Sequence, residues 1–201
     1  MDFVGTGAKL TPEGIKAAAD FVGCDIPAIE AVIEVETAGG GWDGKKRPKM
    51  LFEPHVFYGL LRRDGLDDEL DQAVDEGIAY PKWGTHPYPK DSYPRLEEAY
   101  EIDPKVSLQS ASWGLGQTMG QNYFKCGFKD VAEMVEAYKQ GENEQLMGMA
   151  HFIKNAGLAH DLITHKWAAF AKGYNGPGYA KNQYDTKLSA AYAKAKRAPR
   201  P

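Results

Sequence analysis

The chain has only two cysteines, Cys24 and Cys126, in 201 residues. Two thiols cannot make the disulfide framework of a small secreted domain, so free thiols are expected. Long apolar runs are also missing. No stretch approaches the roughly 20 residues that would span a bilayer, which excludes stable membrane insertion through a helix. The N-terminus, Met1-Asp2-Phe3-Val4-Gly5, lacks a basic segment followed by an apolar one. That argues against a secretory signal and for synthesis in the cytoplasm. Basic residues are not in excess: 24 Lys and Arg against 28 Asp and Glu leave a net charge of −4. Neither nucleic acid nor an anionic envelope is attracted by such a balance, so any binding must be local. Metal-ligand spacing is absent, since His151, His160 and His165 lie nine and five residues apart and no Cys-x-x-Cys or His-x-x-x-His occurs. Gly39-Gly40-Gly41 follows a helical pattern instead of preceding one, so it is no phosphate cradle. A reaction without metal or cofactor is expected.

What is present is mostly helical pattern. The hydrophobic content of 43% and charged content of 26% are ordinary for a globular chain, and the length suits one domain over residues 1–201. Thr11-Pro12-Glu13 is a cap followed by a helix-starting proline, and Gly23 is the matching stop. Asp25 and Pro27 open a second helix. Further helical patterns run from Pro54 to Arg62, Leu66 to Glu76, Ser92 to Ile102 and Pro104 to Ser110. The series ends with Asp130 to Gln140, Asn143 to Asn155, Ala159 to Phe170 and Lys181 to Lys196, followed by a frayed tail over residues 197–201. A minor β element is expected around residues 42–52. Between Ile78 and Tyr93, Pro81, Pro87 and Pro89 forbid regular structure among Tyr80, Trp83, His86, Tyr88 and Tyr93. This long aromatic loop either offers flat faces for sugar stacking or straps itself to the core by its own rings.

The second helix carries the clearest chemical signal. Ile29, Val32 and Ile33 fall at i, i+3 and i+4, one buried stripe, and the same stripe continued to i+7 reaches Glu36. Glu30 and Glu34 lie on the other side. Glu36 is thus aimed at the core from the C-terminal end of a helix. Apolar surroundings and the negative helix end both disfavour its ionised form, which suits a proton donor near neutral pH. The alternative is a glutamate that simply points past the helix end into water. Glycoside cleavage usually needs a second carboxylate. Glu53, between Leu51-Phe52 and His55, is the nearest choice, with a helix-start acceptor as its alternative role. Asp43, on the loop after Trp42, is a third option. Cys24 precedes a helix start, where a thiolate is stabilised and could serve a cysteine peptidase. Its alternative is a small packing residue, and no histidine is placed by sequence to activate it.

These segments resemble the phage and bacterial N-acetylmuramidases. The resemblance rests on Val32-Ile33-Glu34-Val35-Glu36-Thr37 with the glycines and Trp42 that follow. It continues in Met50-Leu51-Phe52-Glu53-Pro54-His55-Val56-Phe57, in Ala111-Ser112-Trp113-Gly114-Leu115-Gly116-Gln117-Thr118-Met119-Gly120, and from Trp167 to Tyr174-Asn175-Gly176-Pro177-Gly178. More distantly, a glutamate ending a helix, a Gly-Leu-x-Gln segment and Tyr-Asn-Gly are similar to goose-type lysozymes and soluble lytic transglycosylases. The resemblance implies a lysozyme-like, mostly α fold, with a helical lobe, a small second lobe and a glycan cleft between them. It implies Glu36 as general acid and Gln117, Tyr174 and Asn175 as residues that line the cleft; beside them Glu53 or Asp43 is expected as the second carboxylate, and Trp42, Asp43, His55 and Ser112 as further residues near the sugar. Thr37 stands where family members often have serine. No room remains for the separate wall-binding module that members often carry. The implied substrate is the glycan strand of peptidoglycan, cut at the β-1,4 bond between N-acetylmuramic acid and N-acetylglucosamine by a monomeric enzyme. That enzyme is either a phage endolysin released through a separate membrane pore or an effector injected by a secretion machine, with the compact build favouring the endolysin. A lytic transglycosylase acting on the same bond, or a non-catalytic wall-binding module, are the alternatives.

Overall fold

The computed structural model describes residues 2–37 and 39–198; of the expected frayed tail, residues 199–201 lie outside the described residues. The chain begins with α1 (Pro12–Val22), α2 (Ile26–Glu36), the short strand β1 (Met50–Phe52), α3 (Pro54–Asp64) and α4 (Asp67–Asp75). After a long loop come α5 (Tyr93–Ile102), α6 (Pro104–Gln109), β2 (Ala111–Trp113), β3 (Thr118–Met119) and a 3-10 turn (Gly120–Asn122). The chain closes with α7 (Val131–Tyr138), α8 (Glu142–Asn155), α9 (Ala159–Ile163), α10 (Trp167–Asn175) and α11 (Tyr184–Arg197).

The starts and stops legible in the sequence are used as written. The Thr11 side chain accepts from Gly14 N–H, and Gly23 ends α1 in the left-handed region at φ 89°. The Asp25 side chain accepts from Ala28 N–H, with Pro27 in the first turn of α2. Two readings need correction. The pattern from Ala159 to Phe170 is not one helix: α9 ends at Ile163, His165 takes φ 55°, and α10 starts anew at Trp167. A left-handed residue breaks the ladder that periodicity alone would have continued. The β element is also larger than residues 42–52, because β1 pairs antiparallel with β2, and β2 with β3. Strands of two and three residues are too short to show an alternation in sequence.

Two buried clusters hold the molecule together. One gathers Ile29 and Val32 of α2 with Leu115, Leu146, Met149, Ile153, Phe170 and Leu188, drawn from α1, α2 and α8 to α11 and the β2–β3 turn. The other gathers Phe52, Phe57, Leu61, Leu96, Leu108, Trp113, Met134 and Tyr138 from the sheet and α3 to α7. The second cluster carries the small three-stranded sheet. Each large side chain fully buried in these clusters contributes about 1.5–3 kcal/mol of transfer free energy. Ile29 and Val32 of the α2 stripe are buried in the first cluster and Ile33 packs against it, and this is what fixes the direction of Glu36.

Candidate active site

Glu36 closes α2 and is half-buried. The helix stops there because Thr37 turns extended (φ −103°, ψ 110°), its N–H still donating to Ile33 O at 3.0 Å and its hydroxyl to the same carbonyl at 2.6 Å. Asn175, the last residue of α10, donates from Nδ2 to Glu36 Oε1 at 2.9 Å. Burial pushes the Glu36 carboxyl above the usual carboxylate range, and the Asn175 hydrogen bond opposes this only in part. The result is an acid held toward its protonated form, with one oxygen oriented.

Tyr174 precedes Asn175, and its hydroxyl is held firmly protonated by burial and by the nearby Glu36 charge. It reaches the β2–β3 turn: a Cβ added to Gly116 would sit 3.2 Å from Tyr174 Oη and 3.0 Å from Met149 Cε. A side chain at 116 would press on both by a few tenths of an ångström, so glycine allows the close approach. Gly116, Gln117, Thr118, Met119, Asn122, Phe152 and Tyr174 line a hollow of about 140 Å³. Gln117 adopts φ 46°, and its amide is spoken for: Nε2 donates to Gly114 O at 2.9 Å and to Lys49 O at 3.2 Å. The Ser112 hydroxyl donates to Gln117 Oε1 at 3.1 Å. These bonds tie the turn to β1 and shape the wall beside Tyr174.

The register places Leu51 opposite Ser112 and Ser112 opposite Met119, so these three share the sheet face turned away from the buried Phe52, Ala111 and Trp113. Glu53 follows two residues after Leu51. It continues the extended run at φ −112°, ψ 92°, and its N–H donates to Ser110 O at 3.0 Å. Alternation puts it on the same face as Leu51. Although it occupies the cap position of α3, its side chain makes no cap bond. Its Oε2 instead accepts a hydrogen bond from the Tyr88 hydroxyl and lies 3.4 Å from His55 Nδ1.

The remaining sequence-selected residues are used inside the fold. Trp42 is 7% exposed, packs on Gly5, and donates from Nε1 to Ala8 O at 2.9 Å. Asp43 Oδ1 accepts from the N–H groups of Lys45 and Arg47 at 2.8 and 2.9 Å, and Arg47 Nε donates to its Oδ2 at 2.7 Å. That carboxylate orders its own loop. Cys24 and Cys126 are free, and burial together with the Asp25 charge pushes the Cys24 thiol up to about 11. A thiol so held is the reverse of an activated nucleophile.

Sequence reasoning passed over Glu142 and Gln145. Glu142 is 4% exposed and accepts from Gly41 N–H at 2.8 Å and Leu10 N–H at 2.9 Å, with Lys9 Nζ at 3.3 Å. Gln145 accepts from Leu115 N–H at 2.8 Å and donates to Tyr138 O at 2.9 Å. Both sit on one face of α8 in a pattern indistinguishable from solvated charge.

A family model described as N-acetylmuramidase matches residues 25–196. Among solved structures, the chain is similar to the crystal structure of the Burkholderia AP3 phage endolysin, with 35% identity and a TM-score of 0.86. That match covers 94% of this chain and 73% of that one. No curated protein matches.

Proposed function

The chain belongs to the N-acetylmuramidase family, and from that premise we propose that this peptidoglycan-degrading muramidase hydrolyses the β-1,4 bond between N-acetylmuramic acid and N-acetylglucosamine. The observation that carries this reading is Glu36: half-buried at the end of α2, biased toward its protonated form and oriented by Asn175. A carboxylic acid in that state can protonate the leaving glycosidic oxygen. Tyr174 and the Gly116–Gln117 wall shape the adjoining surface for the sugar. Glu53, on the sheet face of Leu51 and Ser112, is the second carboxylate, orienting the attacking water or stabilising the oxocarbenium-like transition state. Trp42 and Asp43 serve this site indirectly, by holding the loop that joins α2 to β1.

We read the protein as a phage endolysin made in the cytoplasm and released to the wall through a membrane pore, with an effector injected by a secretion machine as the alternative. Similarity to a solved phage endolysin over most of the chain supports the endolysin part of this reading. The test is mass spectrometry of digested peptidoglycan with wild type and Glu36→Gln. Reducing-end muramic acid from the wild type and at least a hundredfold loss in the variant are expected. Anhydro-muramic ends would make the enzyme a lytic transglycosylase, and unchanged walls would leave only a binder.

A further inference from the structure

The loop between α4 and α5 has no part in the reaction as proposed, yet one of its side chains reaches Glu53. Residues 81–87, 89 and 90 are all exposed, Trp83 at 72%, whereas Tyr88 alone among residues 81–90 is turned inward and half-buried. The sequence explains how it is held. Pro87 and Pro89 flank it: the first has its own φ locked, and the second bars Tyr88 from the helical region. The loop is tied down beyond it by Arg47 Nη2 donating to both Asp91 oxygens at 3.0 Å, and by Tyr93 Oη donating to Pro48 O at 2.7 Å. Tyr88 is thus presented on a stiff backbone, and little entropy is lost in fixing its hydroxyl on a carboxylate 35 positions earlier.

Glu53 needs such a partner. It lies at a cap position without capping, so α3 does not fix its rotamer. Its neighbour His55 Nδ1 is 3.4 Å away and buried without a hydrogen-bond partner. We infer that Tyr88 is a positioning residue for Glu53, holding Oε2 so that Oε1 is aimed at the water or the transition state. This rests on the reading of Glu53 as the second carboxylate. The phenol stays protonated at working pH, because burial and the Glu53 charge both raise its pKa, so it can only donate to that oxygen. The aromatic loop then belongs to the active site through an oxygen contact, separately from any ring it offers to sugar.

A double-mutant cycle of Tyr88→Phe and Glu53→Gln, read as kcat and KM on a soluble N-acetylglucosamine–N-acetylmuramic acid oligomer, tests this. The expected result is a collapse of kcat in Glu53→Gln and a kcat lowered roughly 10- to 100-fold in Tyr88→Phe, with KM and Tm held. In the Glu53→Gln background, Tyr88→Phe should then lower kcat no further. If Glu53→Gln collapses kcat and Tyr88→Phe leaves it intact, the positioning role is overturned while the function stands. Equal losses from Tyr88→Phe in both backgrounds would make Tyr88 a structural strap. Should Glu53→Gln retain kcat while Glu36→Gln loses it, both Glu53 and the Tyr88 assignment fall and the muramidase remains.

Discussion

Glu36 illustrates how one carboxyl can be both a reagent and a local cost. Its pKa is raised in the folded protein by burial, so the fold favours the protonated form relative to the unfolded chain. That contribution is fully present below the unfolded pKa and is lost as pH rises through the folded one. Glu36→Gln removes the charge without changing the shape. Its Tm should therefore match wild type near pH 4 and exceed it increasingly toward neutrality; equal curves at every pH would show that Glu36 is solvated like a surface residue. Asn175 acts on the same equilibrium in the opposite direction. Asn175→Ala should move the alkaline limb of the pH–kcat profile upward, because the acid then keeps its proton longer. The same change loosens the carboxyl, and kcat at the optimum should fall roughly tenfold. A limb that moves downward would mean that Asn175 does not stabilise the ionised acid.

At the scale of elements, the glycine run after α2 is informative. Read as sequence, it suggests a flexible break. In the structure Gly41 is wedged against α8: a Cβ there would lie 1.8 Å from Gln145 Oε1 and 3.2 Å from Glu142 Cγ. The N–H of Gly41 meets Glu142, and Gln145 reaches from there to Leu115 at the foot of the β2–β3 turn. One face of α8 thus fixes the exit of α2 against the β2–β3 turn. Gly41→Ala should cost about 2–4 kcal/mol by overpacking and loss of a buried hydrogen bond, read from the midpoint of urea unfolding. A loss below about 0.5 kcal/mol, ordinary for a surface site, would mean the contact is not tight. Glycine 41 is present for space, whereas Gly39 and Gly40, at φ 82° and 103°, are present for conformation.

The molecule as a whole has two cores and several bonds that cross between them. Gln145 joins Tyr138 of one to Leu115 of the other, and Tyr174 on α10 rests against the β2–β3 turn at Gly116. Such links should make the lobes unfold together. Phe57→Ala in one core and Phe170→Ala in the other should each destabilise by about 3–5 kcal/mol. Both should shift a single calorimetric transition, with Tm falling by roughly 6–20 °C. Two separate transitions, each moved by only one of the variants, would show independent lobes. The hollow beside Tyr174 is lined by Phe152 of one core and Tyr174 of the other and keeps its spacing only while both are folded, so under the proposed function activity and melting should be lost at the same temperature.

Local rules carried much of the helical half of this structure. Caps, prolines and stop glycines are written within a few residues of their effect, which is why α1, α2 and α3 start where Thr11, Asp25 and Pro54 predict. The same locality made Glu36 legible, since a stripe of four residues on one helix shows which glutamate faces the core. Its partners were legible only in part. Asn175 and Tyr174 stood out through their resemblance to a known family, but periodicity offers nothing that places residue 175 on residue 36. Glu53 was nameable as a carboxylate near the right segment; that it declines its cap and accepts from Tyr88 depends on a loop 35 residues away. In the folded chain the polar atoms of Trp42, Asp43 and Gln117 pair with Ala8, Arg47 and Lys49. Glu142 was invisible because a buried, satisfied charge and a solvated one have the same spelling. Sequence by itself determined which residues have the chemistry and which helix faces inward, because those depend on neighbours along the chain. Only tertiary structure decided which polar atoms were left to act, because hydrogen bonds are closed by groups that folding brings from elsewhere.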